Sequence, residues 1–83
     1  MKIEFDPDKD ARNLAKHGVS LSLAAGLEVL AYVADDRFNE PRFRLYGRVD
    51  GVAYCVAGTE REGLVRVISM RRAREKELKR YAR

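Results

Sequence analysis

One histidine and a handful of arginines are the side chains whose types and spacing could do chemistry in this chain. His17 is the sole histidine, and so the one side chain whose ordinary pKa lies near neutrality. Lys16 beside it is a cation able to lower that pKa. Arg66 and Arg71 lie within and just past the apolar run 64–70, where a strand would aim a guanidinium rigidly. Arginine's planar fork suits phosphate oxygens. Arg42, Arg44 and Arg48 alternate along a neighbouring run and could line the same or an adjacent surface. Glu60-Arg61 puts a carboxylate beside a cation in a charged turn, and Tyr81 could stack on a base.

Each of these has a plainer use. A histidine in the last turn of a helix bonds the terminal carbonyls and needs no other role, and position alone tips His17 slightly that way. Arginines on a sheet face can simply snorkel into water. That suits Arg74, Lys76, Lys79 and Arg80 better than it suits Arg66 and Arg71. Glu60 and Arg61 can be inert turn charges, Tyr81 can dock a helix, and Cys55, alternating with core positions, reads as a small buried hydrophobe.

The chemistry open to such a set is narrow. One cysteine and one histidine exclude a structural zinc site. No glycine-rich phosphate loop is present, and no nucleophile is coupled to a base by local sequence. An enzyme built this way would work by positioned charges, without metal or cofactor. Cleavage of RNA by its own 2′-hydroxyl is chemistry of that kind: a base takes the hydroxyl proton, cations stabilise the phosphorane, and an acid assists the leaving oxygen.

The elements that must position these residues follow from local signals. Residues 2–5 alternate and read as a strand, stopped by Asp6-Pro7, an N-cap followed by proline at the first helical position. A helix over 7–17 is expected, with Ala11, Leu14 and Ala15 inward, ended by Gly18. Ser20 or Ser22 caps a second helix to about residue 30, with Leu23, Leu27 and Leu30 at helical spacing and Gly26 weakening it. A strand fragment around 31–34 precedes a polar connection. Residues 42–49 alternate, with Phe43, Leu45 and Val49 on one side. Asp50-Gly51 is a hairpin signal, residues 52–59 return, Glu60 to Gly63 form a longer turn, and 64–70 make the last strand. Straight alternation there sets Arg66, Ile68 and Met70 against Val65, Val67, Ser69 and Arg71. The expected fold is α+β in the order β-α-α-β-β-β-α, an antiparallel meander with the helices on one face.

Eighty-three residues make a single domain over 1–83. No apolar run is long enough for a membrane span, and no signal pattern follows Met1. The lone cysteine suits a reducing cytoplasm. Charge is placed rather than spread. From residue 66 onward eight basic residues meet two acidic ones, a local +6, whereas residues 1–65, with nine basic and eleven acidic, sum to −2. Such a concentration is prepared to meet an anion. The closing helix has little apolar content, so it is expected to lie weakly docked on the surface.

Several motifs together resemble the BrnT-type toxins. They are Phe5-Asp6-Pro7 with Arg12-Asn13-Leu14-Ala15-Lys16-His17-Gly18-Val19-Ser20, then Arg42-Phe43 before Gly47, then Thr59-Glu60-Arg61. The last is Arg66-Val67-Ile68-Ser69-Met70-Arg71-Arg72-Ala73 with Glu77 and Tyr81 beyond. Gly58 stands where that family often has an aromatic, and Met70 where alanine is usual. The resemblance implies a RelE-like fold and a type II toxin, a ribonuclease that stops translation. It implies a BrnA-like antitoxin, a small DNA-binding protein that neutralises the toxin. The pair represses its own operon, so operator DNA is met only through the antitoxin.

The resemblance raises Lys16, His17, Arg66, Arg71 and Arg72 as working residues. The expected cleft lies between the end of the first helix and the last strand. Lys16 and His17 transfer protons there, Arg66 and Arg71 hold the scissile phosphate, and Arg48, Arg61, Arg72 and Tyr81 contact RNA. The alternative is a basic module that binds nucleic acid or an antitoxin without catalysis. An antitoxin partnership also predicts an apolar or charged patch on the helices or a sheet edge.

Overall fold

The computed structural model describes residues 1–82. After β1 (Ile3–Glu4), Asp6 caps α1 (Pro7–His17) by accepting a hydrogen bond from the Asp8 amide. Gly18 ends the helix with a left-handed φ of 71°, its N–H reaching the Leu14 carbonyl. The second helix expected to residue 30 is instead a 3₁₀ helix, Leu21–Gly26, and the chain then enters β2 (Glu28–Asp35). Gly26 is a poor helix former, and Val29, Tyr32 and Val33 favour a strand. The supposed helical triplet is split: Leu27 is buried while Leu23 and Leu30 are exposed.

The three-stranded meander is present as expected, β3 (Arg42–Val49), β4 (Val52–Arg61) and β5 (Leu64–Arg72), but its last two strands run further than expected and shorten the Glu60 to Gly63 turn to Glu62-Gly63. Both turns are tight, Asp50-Gly51 and Glu62-Gly63, each with positive φ at its two central residues. The five strands lie in the order β1-β5-β4-β3-β2. β1 runs parallel to β5, Ile3 opposite Val65 and Glu4 opposite Arg66, so the sheet is mixed rather than wholly antiparallel.

The sheet is covered on both faces, not one. Phe43, Leu45, Val56, Val67 and Met70 pack with Leu21, Ala24 and Leu27 under the 3₁₀ helix. On the other face Tyr46, Ala53 and Cys55 pack with Leu78 of α2 (Glu75–Tyr81). Those apolar side chains on the second face need cover, and α2 supplies it. This helix is better held than its composition suggests. Leu78 is buried, Tyr81 stacks on Tyr46 at 4.7 Å between centroids, and ion pairs Arg48–Glu75 and Arg71–Glu77 tie it to β3 and β5.

Strand β5 is not a straight alternation. Ala57 pairs with Ser69 but Gly58 pairs with Val67, leaving Ile68 as a bulge. Val67 and Met70, three residues apart, therefore both enter the same core. The bulge brings Arg66, opposite Thr59, and Arg71, opposite Cys55, to the α2 face together. Uninterrupted alternation would have separated them.

Candidate active site

The site begins with a buried asparagine. In α1 the residues expected inward, Ala11, Leu14 and Ala15, are exposed, and Asn13 is the buried one. Its amide nitrogen donates to the carbonyls of Met70 and Val19, both at 2.8 Å, and its amide oxygen accepts from the Met70 amide at 3.1 Å. β1 pairs with only the first part of β5. Beyond it, the Asn13 side chain takes up edge groups that another strand would otherwise satisfy. Helix α1 thus lies along the sheet edge and not over its face. Asp10 adds a second tie, accepting from the Leu21 amide at 2.7 Å and the Ser20 hydroxyl at 3.1 Å.

This attachment sets a row of cations beside β5. Lys9, Arg12, Lys16 and His17 line a cavity of about 300 Å³ with Ile68 and Ser69. A second cavity, of about 440 Å³, adjoins it and shares Lys9 and Ile68; Arg42, Arg61, Arg66, Thr59 and Glu60 are on its walls. Together the two make one groove along the seam of α1 and β5. Lys16 and His17 stand in one half and Arg66 and Arg61 in the other. Arg66 faces Glu4 at 3.5 Å, a loose pairing in which the arginine side chain stays 30% exposed. The Thr59 hydroxyl donates to the Pro41 carbonyl and closes the far end.

Other expected residues lie elsewhere. Arg71 lines a separate cavity of about 520 Å³ with Arg74, Lys76, Glu77 and Arg80. Its two terminal nitrogens donate to the two Glu77 oxygens at 2.9 and 3.0 Å. That bidentate bond pulls the Glu77 carboxyl down to about 2, with the Arg74 amide contributing next, and pushes the Arg71 guanidinium further up. Arg71 is therefore not brought to Lys16 and His17 as expected. Arg48 is held by Glu75, with nitrogen–oxygen distances of 2.6 and 3.1 Å. Arg72 is exposed opposite Tyr54, on the face away from α2. The Tyr81 ring is stacked on Tyr46 and flanked by Arg44, so one of its faces is already covered.

The second face offers no hidden nucleophile. Burial pushes Tyr46 up to about 12 and raises the Cys55 thiol as well, so both stay protonated and inert near neutrality. Among the described residues no group of three or more histidines, cysteines and carboxylates could hold a metal ion. Sequence reasoning missed Lys9 and Arg12 as groove residues, whereas Arg42, expected on the same or an adjacent surface, does share a wall with Arg66. Lys9, Arg12 and Lys16 did carry a signal, the i, i+3, i+7 spacing of one helix face, masked by the expectation that α1 would bury alanines and Leu14.

Known proteins match this chain in family and in fold. A family described as "Ribonuclease toxin, BrnT, of type II toxin-antitoxin system" matches residues 5–77. The chain belongs to the BrnT family. A search of curated proteins gave no match. The crystal structure of the Brucella abortus ribonuclease toxin BrnT superposes with a TM-score of 0.68 at 27% identity, covering 89% of this chain and 97% of that one. The α+β fold of this chain is similar to that of the Brucella toxin, and membership of a type II system implies an antitoxin partner. Among the described residues no helix is long and apolar enough to cross a membrane.

Proposed function

We propose that this chain is a metal-independent endoribonuclease, a RelE-like toxin that cleaves RNA, mRNA foremost, and halts translation in the cytoplasm. The observation that carries the reading is the α1–β5 groove. It gathers the only histidine, Lys9, Arg12, Lys16 and Arg66 around one strip of β5. His17 and Lys16 share the proton transfers. One accepts the 2′-hydroxyl proton as that oxygen attacks phosphorus, and a proton is returned to the departing 5′-oxygen. The products are a 2′,3′-cyclic phosphate and a 5′-hydroxyl. Arg66, loosely paired and aimed by the strand, binds the phosphate oxygens as charge builds on them, with Lys9 beside it. Arg61 and Arg42 extend the cationic wall. Arg71 acts outside this centre, as an anion contact braced by Glu77. A BrnA-like antitoxin neutralises the toxin in a hetero-oligomer that represses the shared operon, the antitoxin making the DNA contacts.

The test is cleavage of RNA by purified protein in the presence of a chelator, beside His17→Ala and Arg66→Ala. Each substitution is expected to lower the rate by about 10²-fold or more, while Arg71→Ala costs less. Equal cleavage by all three variants and the parent, or loss of cleavage on chelation, would count against the assignment.

A further inference from the structure

One edge of the sheet is closed and the other is open. On the β5 side, β1 and then the Asn13 amide take up edge groups. On the other side β2 is the terminal strand, eight residues paired only with β3. Edges are usually guarded by charged side chains, lysine above all, by proline or by bulges; β2 has no lysine or proline, its charges stand at its two ends, and its one irregularity lies between Val29 and Ala31. Of seven large apolar side chains exposed among the described residues, Val29, Leu30 and Tyr32 lie on β2 itself and Phe38 in the turn that follows it. Tyr32 is 64% exposed. The charge is reversed here too. Residues 28–40 hold four acidic side chains and one arginine, a net −3, so the remainder of this +4 chain carries +7; Asp35 is paired with Arg37 and Glu40 with Arg42, which leaves Glu28 and Asp36 as the acids without an ion pair among the described residues.

We propose that the outer edge of β2 is the docking strand for a polypeptide partner. An extended segment with apolar side chains at alternate positions and lysines or arginines flanking them adds there as a sixth strand. The inference rests on the toxin reading, under which that partner is the antitoxin. Charge decides the occupant. Pairing β2 with itself about a central two-fold axis brings two copies of the same net-negative segment together, with an unpaired Glu28 at each end, and like charge set against like is unfavourable. RNA is repelled by the same acidic rim. A cationic strand is attracted by it.

The test titrates a BrnA-like antitoxin into the parent chain, into Tyr32→Glu and into Glu28→Lys/Asp36→Lys, with RNA cleavage followed for each. Both variants are expected to cleave RNA like the parent and to bind the antitoxin at least about tenfold more weakly, a difference of about 1.4 kcal/mol. Amide exchange on the parent complex needs no variant, and is expected to show β2 amides gaining protection. Antitoxin affinities matching the parent's, or β2 amides unchanged in a formed complex, overturn the docking strand while leaving the toxin reading intact. A parent dimer that Tyr32→Glu dissolves overturns it in favour of a second copy. A parent that neither cleaves RNA nor binds antitoxin overturns the toxin reading and this inference with it.

Discussion

Asn13 does at the scale of one side chain what a strand does elsewhere in the sheet. Its amide satisfies three backbone groups at once, two on Met70 and one on Val19, and so holds α1 against β5. Asn13→Ala leaves those groups buried and unpaired, which costs about 2–4 kcal/mol and should appear as a lower urea midpoint at unchanged slope. Asn13→Asp should rescue little, because a carboxylate accepts from the Met70 amide but donates to neither carbonyl. Glu77 gives a prediction of a different kind. Its carboxyl is pulled from an ordinary 4.5 to about 2, by the Arg71 guanidinium first and the Arg74 amide second. A depressed folded pKa stabilises the protein above the unfolded value, and that contribution is lost as pH falls through the folded one. Melting the parent and Glu77→Gln at a series of pH values should show the parent's advantage shrinking between 4.5 and about 2. A constant difference across that window would mean that the Arg71 bond does not perturb Glu77.

At the scale of elements, the closest approach is between β3 and the start of β2. A Cβ on Gly47 would collide with the Glu28 carbonyl and press on Leu27. Backbone cannot retreat as a flexible side chain can, so Gly47→Ala should destabilise the fold by about 1–3 kcal/mol, measured by thermal or urea unfolding. Elements announced by local chemistry were legible in the sequence. Asp6-Pro7 opens α1, Gly18 closes it, and Asp50-Gly51 turns the hairpin, each because the backbone there needs a particular residue. What depends on distant partners was not legible. The Leu23–Leu27–Leu30 spacing suits a helix until burial of Leu21, Ala24 and Leu27 selects a 3₁₀ turn and a strand. The Ile68 bulge has no local signal, yet it decides which face Arg66 takes relative to Arg71. Asn13 carries no local signal of its burial, since a polar residue on a helix normally faces solvent. The sequence pointed to Lys16, His17 and Arg66, and the seam that gathers Lys9 and Arg12 with them required the fold.

At the scale of the molecule, charge is divided between two ends of one sheet, and the division separates two accounts of RNA binding. The sequence places its largest excess of cations at the C-terminus, yet in the structure Arg48 and Arg71 are engaged by Glu75 and Glu77. The stripe Lys9, Arg12 and Lys16 makes no ion pair among the described residues and lies on the groove. Single-stranded RNA bound along that groove releases a counterion for each phosphate neutralised, so log affinity falls with log salt by about 0.7 per contact. Replacing Lys9, Arg12 and Lys16 by glutamine should therefore make the salt slope shallower by about 2, measured with 2′-O-methyl RNA so that binding is read without cleavage. Replacing Arg74, Lys76 and Arg80 removes the same formal charge from α2. If long-range attraction alone governed binding, the two triple variants would behave alike. Direct phosphate contact at the α1–β5 seam predicts that the α1 variant loses more affinity and more slope, and the reverse order would move the RNA path onto α2.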